Sequence, residues 1–118
     1  MSNRIEGLDR FMAWATNAPR ELNDAARQAV KNRTLEMEAN AKAQAPVDTG
    51  TLRRSINSQI SETSGSITGE VSTNLEYATH VEYGTSKQVA QPYMTPAYVN
   101  ASRQLEEDLR QAMREVSN

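Results

Sequence analysis

Residues 37–56 read Met37-Glu38-Ala39-Asn40-Ala41-Lys42-Ala43-Gln44-Ala45-Pro46-Val47-Asp48-Thr49-Gly50-Thr51-Leu52-Arg53-Arg54-Ser55-Ile56. The first half is an alanine-rich helical pattern and the second half is turn chemistry. Pro46 marks the boundary, because the residue before a proline disfavours helical angles. Asp and Thr side chains bond nearby backbone N–H groups, and glycine permits positive φ. A helix should therefore stop near Gln44 and hand the chain to a sheet, with 46–54 fixing the turn.

Upstream of this stretch, Leu22, Ala26, Val30, Met37, Ala41 and Ala45 recur at spacings of three, four or seven, with Thr34 filling the gap. They draw one apolar stripe, so a long helix is expected over 19–44. Asn17 and Pro19 interrupt the pattern, since proline suits a first helical turn and not a middle one. A separate short helix is expected near 4–16, with Leu8, Phe11, Met12 and Ala15 on its apolar side. Its bulky Phe11 and Trp14 suit a docking role, which makes 1–18 a candidate docking arm.

Downstream, the period changes to two. Residues 55–63, with Ile56 and Ile60, and 66–74, with Ile67 and Val71, read as two strands joined at Ser64-Gly65-Ser66. They are rich in Ser and Thr, which suits edge strands that pair with another subunit. Residues 75–83 fit both a strand (Tyr77, Thr79, Val81, Tyr83) and a short helix ended by Gly84; the helix is preferred. Residues 84–94 read as an exposed loop. Thr95-Pro96 reads as an N-cap followed by a first helical residue. The final helix carries Tyr98, Ala101, Leu105, Leu109, Ala112, Met113 and Val116 on its apolar stripe. Arg103–Glu107 and Glu106–Arg110 are expected as pairs on its wet face. The fold class is α+β in a single domain over 1–118: a long N-terminal helix, a small antiparallel β-sheet, a short helix and loop, and a C-terminal helix.

Composition narrows the function. Only 37% of the 118 residues are hydrophobic, with one Trp and one Phe, so the core is thin and part of the burial is expected against a partner. Thirteen basic and 15 acidic side chains give a net charge of -2, which is not the balance of a dedicated nucleic-acid binder. The absence of cysteine excludes disulfides and thiolate metal sites. No apolar run approaches the roughly 20 residues that cross a bilayer. The start lacks the apolar core of a signal peptide, so synthesis and use in the cytoplasm are expected.

Candidate chemistry is sparse. Asp48-Thr49-Gly50 spells the triplet of aspartic proteases, whose mechanism needs two carboxylates sharing a proton at the end of buried β-strands. Here the triplet follows a helix and a proline, so a turn or cap is the better reading. His80 with Glu76 offers two ligands where a metal site wants three or four. No nucleophile with a base and an orienting partner can be picked out, so no catalytic residue, metal or cofactor is expected. Arg53, Arg54 and Lys87 could meet phosphates, or else carboxylates of another subunit. Tyr77, Tyr83, Tyr93 and Tyr98 fall in one short region, and tyrosine is favoured both in interfaces and in cores.

Two blocks, Ala45-Pro46-Val47-Asp48-Thr49-Gly50-Thr51-Leu52-Arg53-Arg54-Ser55-Ile56 and Tyr77-Ala78-Thr79-His80-Val81-Glu82-Tyr83-Gly84-Thr85-Ser86-Lys87, the second followed by Gln91-Pro92-Tyr93-Met94-Thr95-Pro96-Ala97, occur in this order. Together they resemble the tail-component family of Hong Kong-type lambdoid bacteriophages. The resemblance covers the central half of the chain and leaves the region before Pro19 outside it. It implies a non-enzymatic structural subunit of the head–tail connector, or neck: a tail-completion protein joining the tail to the DNA-filled head. A tail terminator or head-closure protein is the alternative, and a small DNA-binding protein a more remote one. The implied partners are further copies in a ring, six-membered by analogy with tail-tube symmetry, together with head-closure or adaptor proteins and the tail terminator or tube. Non-specific contact with DNA in the lumen is compatible with this, and no membrane is involved. The implied location is the virion, after assembly in the host cytoplasm. Loop 84–94 is expected at a contact, with Arg53, Arg54, Tyr83, Lys87, Gln91, Tyr93, Phe11 and Trp14 as interface residues.

Overall fold

The computed structural model describes residues 8–15, 20–46, 50–63 and 65–117. In chain order the elements are β1 (Leu8–Ala15), α1 (Arg20–Gln44), α2 (Thr51–Ser55), β2 (Asn57–Thr63), β3 (Ser66–Thr73), α3 (Ala78–Tyr83) and α4 (Met94–Ser117). The fold is α+β, as the sequence implied.

α1 follows the predicted stripe. Leu22, Ala26, Val30, Thr34, Met37 and Ala41 are all buried, and Ala45 just beyond the helix is buried too. Their spacing at three, four or seven residues keeps them on one face against the sheet and α4. The sheet has the order β1-β3-β2, with both pairings antiparallel. β3 lies in the centre and buries Ile67 and Val71 completely. β2 is a polar edge strand, and Arg27 of α1 clamps its end through Glu62 at 2.8 Å.

Gly69 sets the distance between α1 and the sheet. A methyl group there would stand 1.8 Å from the Thr34 hydroxyl oxygen, so helix and strand approach more closely than any side chain at 69 would permit. α4 packs on α1 in antiparallel sense, as Arg33 reaching Asp108 and Glu21 sharing a cleft with Glu115 both require. The Arg33 fork is bidentate, at 2.6 and 3.0 Å, and also meets Glu36. Hydrogen bonding to Asp108 chiefly raises the guanidinium pKa further above its ordinary value, against a smaller opposing effect of burial.

Two expectations are corrected. The short helix at 4–16 is instead, over its described part, the third strand of the sheet. Leu8 and Met12 are buried and four residues apart, a spacing that satisfies the helical and the extended period equally. Pairing decides: Leu8 lies opposite Thr73, and every residue to Ala15 opposite Ser66 has a partner. The second correction lies in the turn after Pro46. Gly50 does adopt a left-handed conformation, φ 75°, but it caps the additional short helix α2. That helix buries Leu52, and the next strand starts two residues later than predicted. Asp48 lies outside the described residues.

Candidate docking surface

α3 ends where Gly84, at φ 78°, turns the chain; its N–H donates to the His80 carbonyl. A Cβ at 84 would meet the Ala90 backbone nitrogen at 2.8 Å, so only glycine lets the two ends of the following loop pass this closely. Within the loop, the Thr85 N–H donates to the Gln88 carbonyl and the Gln88 N–H returns to Thr85. Farther on, the Gln91 N–H donates to the Val81 carbonyl at 2.8 Å.

The strongest tie comes from a residue that sequence reasoning passed over. Glu82 is 2% exposed and accepts the backbone N–H groups of Tyr93 and Met94 on one oxygen and of Thr95 on the other, at 3.0, 2.8 and 2.7 Å. These are donors at the start of α4 that no helical carbonyl reaches, and a carboxylate there also meets the positive end of the helix dipole. Burial opposes the charge, but the Thr95 hydroxyl and the three N–H groups outweigh it and hold the carboxyl below the usual carboxylate range. Thr95 is therefore not the cap that Thr95-Pro96 advertised. The helix begins at Met94, and its cap arrives from α3. Loop 84–92 is thereby pinned at both ends.

Two shallow clefts flank the pinned loop. One is lined by Pro46, Leu52, Tyr77, Val81, Gln88 and Gln91. The other lies between the loop and α4, with Tyr83, Pro92, Thr95, Pro96, Val99 and Arg103 on its walls. Arg10 of β1 anchors this wall by donating to the Tyr83 hydroxyl and to Thr95 Oγ1. Val89 stands at the loop surface, 84% exposed.

The predicted interface residues are thus divided. Arg53, Arg54, Tyr83, Lys87 and Gln91 are exposed; Gln91 lines one cleft and Tyr83 the other, while Arg53 and Arg54 follow Leu52 of the first cleft in α2 and Lys87 precedes its Gln88. Tyr93 does not belong with them. It is fully buried in the core, where it supports the loop from beneath. Burial first, then the neighbouring Glu82 charge, push its phenol well above the ordinary tyrosine range. For Phe11 and Trp14 the register is fixed, opposite Glu70 and Ile67, while their side chains lie outside the described residues. His80 is exposed, and Glu76 precedes α3 rather than sharing it. Among the described residues no group of three His, Cys, Asp or Glu could hold a metal ion, and no helix is long and apolar enough to cross a membrane.

Residues 9–84 match the family described as bacteriophage HK97-gp10, putative tail-component. The chain belongs to this family. Its role is structural, in the phage tail and so in the virion. The match begins at residue 9, ahead of the Pro19 boundary expected from the motifs, and so takes in nearly all of β1. It ends at Gly84, so the pinned loop and α4 lie outside the matched residues. No curated protein and no solved structure matches the chain.

Proposed function

We propose that this tail component is a non-enzymatic tail-completion subunit of the neck, which joins the tail to the DNA-filled head as one member of a ring, six-membered by tail symmetry. Membership of the tail-component family carries the reading. The pinned loop 84–92 adds to it. A loop closed by Glu82 and Gly84 presents Val89 without first having to be ordered, which is what a docking element gains from pre-organisation. Edge strand β2 has no further strand on its outer side among the described residues, and that side is available to a neighbouring copy. Heterologous contacts of this kind close into a ring when the rotation permits. The subunit would assemble in the host cytoplasm. Gold-labelled antibody against this chain should decorate purified virions at the head–tail junction. Label confined to the distal tail tip would exclude the neck.

A further inference from the structure

The ion pairs of this protein are distributed unevenly. In the helical body, Arg27 holds Asp24 and Glu62, Arg33 holds Glu36 and Asp108, Lys42 holds Glu38, and Arg110 holds both Glu106 and Glu107. At the end built from α2, α3 and the loop the pattern reverses. Arg53, Arg54 and Lys87 are exposed and make no ion pair among the described residues. Neither does Arg103, on the rim of the cleft beside α4, because Arg110 takes the Glu107 that Arg103 was expected to meet. The described acids at this end offset little: Glu82 is buried in its cap, which leaves Glu76 as the exposed carboxylate among the described residues. Interleaved with these cations are apolar groups in water, namely Tyr77, Tyr83, Val89 and Val99.

We propose that this end docks an acidic surface studded with apolar side chains on a different virion protein. Its carboxylates meet Arg53, Arg54, Lys87 and Arg103, and its apolar groups enter the clefts on either side of Val89. The proposal deepens the neck reading and rests on it. Two other occupants fit less well. DNA would satisfy the cations but leave the exposed valines and tyrosines uncovered, on a chain that is negative overall. A second copy offers, among the described residues, Glu21, Glu76 and Glu115 as exposed carboxylates outside any ion pair, since Asp24, Glu36, Glu38, Glu62, Glu106, Glu107 and Asp108 already face cations of their own chain.

The test is the triple substitution Arg53→Glu, Arg54→Glu, Lys87→Glu in a phage that carries this gene, scored by counting joined and separated particles. All three side chains are exposed, so the purified variant should melt with the parent. Should it not, Lys87→Glu alone, in the loop, carries the test. Joined particles should fall by roughly tenfold or more, as expected when like charges meet across an interface. Arg53→Lys with Arg54→Lys should restore most of the joining when Lys87 is intact. Second-site suppressors should exchange Asp or Glu for Lys or Arg in another virion protein. Normal joining by the charge-reversed variant, in a phage whose stop-codon form does separate heads from tails, overturns the proposal and leaves the neck reading standing. A stop-codon form that still joins removes the neck reading and this proposal with it. Suppressors confined to this chain make the occupant a second copy and overturn the proposal. So does wild-type binding to a fluorescent DNA duplex at about 0.15 M salt that the triple variant loses.

Discussion

Replacing Glu82 with Gln tests the device that shapes the proposed docking surface. The carboxylate accepts three backbone N–H groups at 2.7–3.0 Å and is 2% exposed. A glutamine keeps one oxygen for these donors and turns an NH2 group towards the rest. Hydrogen bonds to a charged acceptor contribute about 1.5–3 kcal/mol each, and a buried N–H left alone costs about 1–3 kcal/mol. Losing the Thr95 bond and turning the Tyr93 and Met94 bonds from charged to neutral should therefore destabilise the fold by about 3–5 kcal/mol at neutral pH. For a domain of this size that corresponds to a fall in Tm on the order of 12–20 °C. The pH dependence adds a signature. Because the folded-state pKa lies below the unfolded value, the carboxylate's contribution is complete above about pH 4.3 and disappears as pH falls through the folded value. Glutamine does not titrate, so the gap between parent and variant should be widest near pH 7 and close in acid. Thermal melts at a series of pH values, followed by circular dichroism, measure both. A variant that melts with the parent at neutral pH, or a gap that widens in acid, would refute the cap.

Three further substitutions probe the packing. Gly69→Ala should cost about 1–3 kcal/mol by overpacking against Thr34, and Thr34→Ala in the same chain should recover part of it, since the Cβ of residue 34 stays 2.9 Å away; purely additive losses in urea unfolding would count against the close approach. Asp108→Ala should cost about 1 kcal/mol, and less in high salt, because the Arg33–Asp108 pair is about a quarter exposed; a salt-independent loss would point to packing instead. Tyr93→Phe should leave stability unchanged or raise it by up to about 1 kcal/mol, since the buried hydroxyl has no hydrogen-bond partner among the described residues. A clear loss on denaturant titration would reveal a partner.

Much of this fold is legible in the sequence because each long element repeats one period over many residues. α1, the β2–β3 hairpin, α3 and α4 follow from Leu22–Ala26–Val30, from Ile67 and Val71, from the stop at Gly84, and from Ala97–Ala101–Leu105. β1 was not legible, because Leu8 and Met12 suit either period and only the pairing with β3 distinguishes them. α2 has five residues, too few to show a period at all. The residues of the proposed docking surface were legible in part. Arg53, Arg54, Tyr83, Lys87 and Gln91 stand out by charge, aromaticity and loop context, and all five are exposed. Tyr93 sits in the same glycine- and proline-bearing stretch, yet the start of α4 carries it into the core. Glu82 gave no local signal as a cap, since its partners lie 11 to 13 residues away. Its one trace is a carboxylate directly after Val81 on a helix whose buried side also holds Ala78.

The central claim is that this tail component makes the joint between tail and head. Electron microscopy of particles from a phage or prophage with a stop codon in this gene tests it most directly. Filled heads beside separate tails of normal length are the predicted result. Tails of uncontrolled length would move the protein to the tail terminus, and normal infectious virions would contradict the account.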